Sequence, residues 1–437
     1  MTLMDRVGAA QAESGSFVLG ANSWMLDELK DEVGAIIAGD ALASLAVDNP
    51  KRARSELKSA IRAVFATAKW SARSGEAKES LAKELMDTVF GLGPLQPLVE
   101  DPQVTEIMVN GTESVFVERS GVVEFQGALF ANAVQLRSLI DRILAPLGRR
   151  VDESSPMVDA RLPNGHRVNV VIPPIALDGP AVTIRKFTER AMRLEDMQER
   201  GSFDERVAQL LRWAVESRRN VAVCGGTGSG KTTMLNALSC VISEKERIVT
   251  IEDSAELKFS EHPHVVRLES RASNAEGVGE VSIRDLVRNA LRMRPDRIIV
   301  GECRGAEALD MLTAMNTGHD GSLTTLHANS PADMVMRLVT MVRYGMDLPV
   351  EVIEGNIASA LDVVVQVSRG CDGRRFVSAV ASVERGDDAA CVIRESFSRK
   401  TADDEGCWQS VPRWLDEACA LGSVDDCEVE AWKARCF

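Results

Sequence analysis

The sequence predicts an α/β protein: a mostly parallel, helix-flanked sheet carrying a phosphate-binding loop, preceded by a smaller α+β domain and a helical N-terminal region. Three observations carry that expectation. From Val221 onward, short apolar runs alternate with helical stretches. The stretch "GGTGSGKT", Gly225 to Thr232, follows one of those runs and opens a helix. Before it, hairpin signals surround a single amphipathic helix.

Four segments follow. Residues 1–88 hold helical spacing in "SWMLDELKDEVGAIIAG", "KRARSELKSAIRAVFATAKW" and "EAKESLAKELMDTVF", after a start of some twenty residues that reads as mobile. Residues 89–190 form the small α+β domain, with turns at Asn110-Gly111 and Asn164-Gly165 flanked by alternating runs, and a helix in "AVQLRSLIDRILAPLG". Residues 191–400 form the phosphate-loop domain, reached through the charged stretch "TERAMRLEDMQERGSFD". Its strands are "NVAVCG", "RIVTIED", "HVVRLES", "DRIIVGE" and "SLTTLHA", with an antiparallel appendage in "DVVVQVS", "RFVSAVASVE" and "CVIRESF". Residues 401–437 are an acidic tail with three tryptophans and no functional reading.

Composition narrows the function. The chain of 437 residues is 45% hydrophobic, enough for two or three cores, and its formal charge of −14 supplies no global attraction to nucleic acid or anionic lipid. Aromatic residues make up 4% of the chain, which leaves little material for stacking on bases. No apolar run reaches the length of a membrane span and the start lacks a signal-peptide pattern, so the expected location is cytoplasmic. All nine cysteines lie from Cys224 onward without a C-x-x-C pair, which argues for free thiols and against a zinc site.

The chemistry concentrates around the glycine-rich loop. Gly225, Gly226, Gly228 and Gly230 let backbone N–H groups turn toward a triphosphate, with Thr227 and Ser229 between them; Lys231 reaches the β- and γ-phosphates. Thr232 offers a hydroxyl to Mg²⁺, and Thr233 follows it in the helix. Strand-end acids are expected nearby: Glu252 and Asp253, with Glu256 a turn later, and Glu302 after "DRIIV". One strand-end acid alone is an ordinary loop residue; two of them after a phosphate loop are not. His319 and His327 flank "SLTTL", with no ligand cluster to make them zinc ligands. Arg284, Arg288 and Arg292 share one helix face, which reads as a solvated face or a subunit contact.

"RIVTIEDSAEL", "HPHVVRLESR", "RDLVRNALRMRPDRIIVGECRGAEALDML" and "NTGHDGSLTTLHANSP" resemble the successive signature boxes of the secretion-superfamily ATPases, particularly the CpaF type of tight-adherence (Tad/Flp) pili. "GLGPLQPLVEDPQVTEIMVNG" and "VDESSPMVDARLPNGHRVNVVIPPIALDGPAVTIRKF" resemble the domain that precedes the motor domain in that family. The likeness spans about Phe90 to Val380. It implies a RecA-like ATPase domain that uses ATP and Mg²⁺. Glu252 then matches the acid that polarises the lytic water, supported by Asp253 and Glu256; Glu302 matches an atypical Walker B glutamate near the metal; His327 matches the histidine box and His319 its lead-in. Thr232, Glu302 and Glu256 are the implied metal-side residues, and Arg161, Arg167 and Arg185 the arginines of the small domain that close on the γ-phosphate. Cys303 departs from the usual aliphatic residue and reads as a core thiol.

The resemblance implies a homo-oligomer, hexameric in that family, that drives pilus assembly or secretion through an inner-membrane platform protein and associates with the membrane peripherally. No direct nucleic-acid contact is expected. Two rivals remain at this level: a RecA-like nucleic-acid translocase, disfavoured by the acidic charge, and a scaffold that binds nucleotide without hydrolysing it, disfavoured by the paired carboxylates.

Overall fold

The structure, a computed structural model, describes residues 23–119, 121–187, 192–259, 262–271, 273, 278–386 and 390–437. They divide into two units between Phe187 and Thr188. The mobile start and the boundary at 190/191 expected from the sequence lie outside the described residues.

The first unit opens with five helices: α1 (Ser23–Ile36), α2 (Gly39–Asp48), α3 (Pro50–Phe65), α4 (Ala68–Ser71) and α5 (Gly75–Phe90). α3 shows why they form. The Asn49 side chain accepts from Arg52 N at 3.1 Å, Pro50 takes the first turn, and Ala53, Leu57, Ala60, Ile61 and Val64 recur at helical spacing on one buried face. That face packs with Leu29, Val33, Trp70, Leu81 and Leu85 into a small apolar core.

After the short α6 (Gln96–Glu100), the unit continues as a six-stranded antiparallel sheet and one helix. The strands are β1 (Val104–Asn110), β2 (Ser114–Arg119), β3 (Val122–Gly127), β4 (Met157–Arg161), β5 (Arg167–Val171) and β6 (Ala181–Arg185), in the order β3-β2-β1-β6-β5-β4. Gly111 turns the first hairpin at φ +64°, where a side chain would also meet the Asp178 carbonyl at 2.9 Å. The helix, α7 (Ala133–Leu144), buries Leu136, Leu139, Ile140 and Ile143 against Ile107, Val109, Val168, Val170, Val182 and Ile184. One sheet face is thereby a core; the other carries polar residues on β4, β5 and β6 and the Phe116–Phe125 ring pair on β2 and β3.

The second unit begins with α8 (Leu194–Glu199) and α9 (Glu205–Glu216), then alternates strand and helix: β7 (Val221–Gly225), α10 (Lys231–Ser239), β8 (Ile248–Glu252), β9 (Val265–Glu269), α11 (Ile283–Ala290), β10 (Arg297–Val300), α12 (Glu307–Met315), β11 (Leu323–Leu326), α13 (Pro331–Gly345) and α14 (Val350–Ala360). β12 (Val363–Arg369), β13 (Arg375–Arg385), β14 (Cys391–Ser398), β15 (Cys407–Trp408), α15 (Trp414–Ala420) and α16 (Asp426–Cys436) complete it. The nine strands run in the order β15-β14-β13-β12-β7-β11-β10-β8-β9. One expectation needs correcting: β12 pairs parallel to β7, so the antiparallel addition starts only at β13.

Continuous apolar strands explain the two-faced burial. Val221, Val223, Val365 and Val367 pack with α9 and α10 on one face, while Ala222, Cys224, Val364 and Val300 pack with α12, α13 and α14 on the other. At the edge where the parallel strands begin, Arg297 is 1% exposed and holds Glu246 with two contacts of 2.8 and 2.9 Å. It also donates to the carbonyls of Gly321 and Val215 at 3.1 and 3.0 Å, so the charge is paired and each of its nitrogens is bonded. A Cβ at Gly321 would fall 1.9 Å from the Arg297 guanidinium, which is why that position has no side chain.

Residues 401–437, read from the sequence only as an acidic tail, are part of this core. Trp408, Trp414, Leu415, Val429 and Trp432 are buried with α9; Trp432 stacks edge-on with Trp213 and Trp408 and donates its Nε1–H to the Arg206 carbonyl at 2.9 Å. Cys303 is a buried thiol, its Sγ 3.9 Å from the Met341 sulfur, as expected of a core residue. Among the described residues no helix is long and apolar enough to cross a membrane. Trp432→Ala is expected to destabilise the chain by about 3 kcal/mol, a loss typical of a large buried aromatic, read as a lower denaturant midpoint by tryptophan fluorescence.

Candidate functional site

The parallel register of the second unit brings the predicted polar groups to one edge. β7, β11, β10 and β8 are neighbours and all run the same way, so the loops after them emerge together. The glycine-rich loop leaves β7 and feeds α10. Gly228 and Gly230 have φ of +71° and +97°, the left-handed conformation that turns successive N–H groups inward. A Cβ at Gly225 would lie 2.4 Å from Ser229 Oγ and 2.5 Å from the Val367 carbonyl, so the first glycine is demanded by packing. Ser229 Oγ donates to the Gly226 carbonyl at 2.9 Å and tightens the loop. Thr232 and Thr233 occupy the second and third positions of α10.

Lys231 is 8% exposed. Its Nζ donates to the Gly226 carbonyl at 2.9 Å and lies 3.4 Å from His327 Nδ1. An ammonium only donates, so Nδ1 must be the bare ring nitrogen and the proton sits on Nε2. Nε2 lies 2.9 Å from Glu302 Oε1, an ion-pair approach that does not meet hydrogen-bond geometry, and Oε1 is left buried without a donor. Burial first and the Lys231 charge second push the His327 pKa down, which favours the same neutral tautomer. Burial also lowers the Lys231 pKa, partly offset by Glu302.

Glu252 ends β8 at 2% exposure. Its Oε2 accepts the backbone N–H groups of Glu256 and Leu257 at 2.7 and 2.9 Å, while Oε1 is buried without a donor. Desolvation raises its pKa against those two bonds. Because Ile251 pairs with Val300, Gly301 stands beside Glu252; a Cβ there would be 2.9 Å from Glu252 Cγ. The glycine before Glu302 thus makes room for the other glutamate's stem.

Other predicted residues divide. Asp253 accepts from Ser270 Oγ at 2.7 Å and faces Arg304 at 3.8 Å. Glu256 contributes its backbone N–H to Glu252, whereas its carboxylate makes no hydrogen bond or ion pair among the described residues. His319 is not brought to the site. It precedes β11, at the end opposite His327, and its Nδ1 lies 3.1 Å from the Ala314 carbonyl; the lead-in serves the Arg297 bolt through Gly321. Arg284 and Arg288 both bind Asp310 at 2.7 Å.

Within the first unit, strand register lines up three arginines. Arg161 pairs with Arg167, Arg167 pairs with Arg185, and Arg185 pairs with Glu106. Cross-strand partners share a face, and the intervening Val168, Val170, Val182 and Ile184 occupy the core side, so the arginines form a row on the polar face. Arg167 binds Asp159 at 3.3 Å, and Arg161 Nε donates to the Gly165 carbonyl at 3.2 Å.

Sequence reading missed four groups near the phosphate loop. Arg304 binds Glu302 Oε2 at 2.7 Å. Arg375 Nε donates to the Gly228 carbonyl at 3.0 Å, and Arg369 is its cross-strand partner. Gln366 Nε2 donates to the Ala328 carbonyl at 3.1 Å. The available signals were a cation two residues after Glu302, an arginine at each end of the "RGCDGRR" turn, and one amide inside an all-valine run.

A divalent cation fits this arrangement. The donorless Oε1 of Glu302 and the hydroxyl of Thr232 are of the hard oxygen type that Mg²⁺ takes. Among the described residues no group of three or more His, Cys, Asp or Glu side chains forms a cage, so a cation would rely on these two and on the nucleotide's own phosphates.

Residues 89–411 match a protein family described as "Type II/IV secretion system protein". A Mycobacterium tuberculosis protein named for conjugal transfer is 38% identical over 343 residues, 77% of this chain and 94% of its own. The type IV secretion system protein VirB11 of Brucella suis is 36% identical over 334 residues, 69% of this chain and 92% of its own. Among solved structures, the Legionella pneumophila ATPase DotB matches 69% of this chain and 82% of its own at 23% identity and a TM-score of 0.50, a likeness of fold.

The buried Glu252 carboxylate yields a stability prediction. Its folded pKa stands above the unfolded value, so the fold favours the protonated form and loses stability as pH rises through the folded pKa. Glu252→Gln keeps an acceptor for both N–H groups and removes the charge. The variant is expected to melt a few degrees higher than the parent at mildly alkaline pH, with the gap closing as pH falls below the ordinary carboxylate range.

Proposed function

The chain belongs to the type II/IV secretion system protein family and is an ATP hydrolase of it, and from that premise we propose the parts its residues play. The observation that carries the reading is the Lys231–His327–Glu302 cluster inside the glycine loop, bordered by two carboxylate oxygens without donors. Lys231 exchanges the Gly226 carbonyl for the β- and γ-phosphates of ATP, and the loop's N–H groups take the remaining oxygens. Thr232 and Glu302 would hold Mg²⁺, which when bound would neutralise charge on the phosphates.

Glu252 orients the attacking water and takes its proton. The raised pKa suits a base that must hold a proton briefly, and the two backbone N–H bonds fix its aim. Asp253 keeps Arg304 near the pair of acids. With a bare Nδ1 toward Lys231 and Nε2–H toward Glu302, His327 reads whether the γ-phosphate has drawn the lysine away. The Arg161–Arg167–Arg185 row of the first unit presents aligned guanidinium groups suited to charge-assisted contacts with an anion.

In this reading the chain works as a cytoplasmic homo-oligomer, a hexamer, peripheral to the inner membrane. It passes domain motion to a membrane platform protein of a pilus or secretion system, in the manner of the CpaF type. The relatives named for type IV secretion and conjugal transfer support an export motor, and the fold likeness to an ATPase supports its core.

Lys231→Ala should lower phosphate release at least about a hundredfold and abolish nucleotide binding. Glu302→Gln should still bind ATP while turnover falls by a similar factor, measured by phosphate release beside fluorescent-nucleotide titration. Particle mass should rise to six chains with ATP, and single-stranded DNA should leave turnover unchanged; steep, salt-sensitive stimulation by DNA would favour a translocase.

A further inference from the structure

We infer that Gln366 is a positioning residue of the hydrolytic site, tying the turn that carries His327 to the strand on which the phosphate loop rests. The inference depends on the role given above to His327.

β12 is a run of valines, and Val363, Val364, Val365 and Val367 are all buried. An amide at 5% exposure among them costs free energy unless its polar atoms are bonded, and a valine would carry no such cost. The group that repays it is the Ala328 carbonyl, which accepts from Gln366 Nε2 at 3.1 Å. Ala328 follows His327, is 5% exposed, and lies beyond the end of β11, where the ladder to β7 no longer supplies partners. A carbonyl only accepts, so the amide orientation is fixed: Nε2 toward Ala328, Oε1 away.

The same strand supports the phosphate loop. Gln366 stands beside Cys224 in register, and a Cβ at the next residue, Gly225, would lie 2.5 Å from the Val367 carbonyl. Across the hairpin, Arg375 Nε holds the Gly228 carbonyl at 3.0 Å. The Arg369 guanidinium comes within 3.6 Å of where a Gly228 Cβ would be. β12 and its hairpin therefore touch the loop at its first glycine and its crest, and touch the His327 turn through one side-chain bond. Removing that bond leaves the loop supported and the histidine turn without its link to β12. Gln366 Oε1 is itself buried and donorless, as are the free oxygens of Glu252 and Glu302 around the loop.

The decisive experiment is a double-mutant cycle on the full chain with Gln366→Met, which keeps length and bulk but cannot donate, and His327→Ala, read by steady-state ATP turnover and by ADP affinity. Gln366→Met should lower kcat about tenfold, as for one lost buried hydrogen bond, while KM for ATP and ADP affinity change less than about threefold. The double variant should be no slower than His327→Ala alone, because both changes act through the same imidazole. Losses that multiply in the double variant, an unchanged kcat in Gln366→Met, or a fall in ADP affinity matching the fall in kcat would each overturn the inference. A wild-type rate in His327→Ala would fail the site reading itself, and this inference with it.

Discussion

A buried ammonium without an anion sets the terms for the whole site. Lys231 is nearly enclosed, and among the described residues the acceptors its ammonium meets are a loop carbonyl and a bare imidazole nitrogen. Neither carries a full negative charge, so the group is held and incompletely compensated, which is the state in which a polyphosphate gains most by binding. The surrounding choices follow from that shortage. Glycines at positive φ leave the loop's donors pointing inward, the imidazole must keep Nδ1 free, and the nearest carboxylate is taken up by Arg304 on its other oxygen.

The acids owe their place to the ladder. Parallel pairing sets Ile251 beside Val300, which makes the residues that follow, Glu252 and the Gly301–Glu302 pair, neighbours by construction. One strand supplies a glutamate braced by two backbone N–H groups, the next a glutamate that faces the histidine; Gly301 keeps them from colliding.

Much of this was legible in the sequence because it was local. "GGTGSGKT" between a strand and a helix, acids at strand ends and asparagine–glycine turns are short-range signals, and each falls where its grammar puts it. What stayed hidden was relational. His319 and His327 look equivalent along the chain, yet a four-residue strand separates them across the sheet and only one meets Lys231. The three tryptophans after Lys400 gave no periodic pattern, because they belong to short segments whose partners sit in α9, some two hundred residues earlier. Gln366 and Arg375 act through single bonds to distant carbonyls, and no spacing rule encodes those. The arginine row was half visible: the residues could be listed, but their alignment needed the strand pairing.

The Arg297 bolt has a mechanical consequence. It fastens the start of β10, the lead-in to β11, the end of α9 and the segment before β8 into one knot of four bonds at one end of the sheet. The loops at the other end are joined by single backbone bonds, such as Cys303 N–H to the Thr325 carbonyl at 2.8 Å, and by isolated side-chain contacts. A slab clamped along one margin yields first at its free margin, so movement in this sheet concentrates in the strand-end loops and spares the floor.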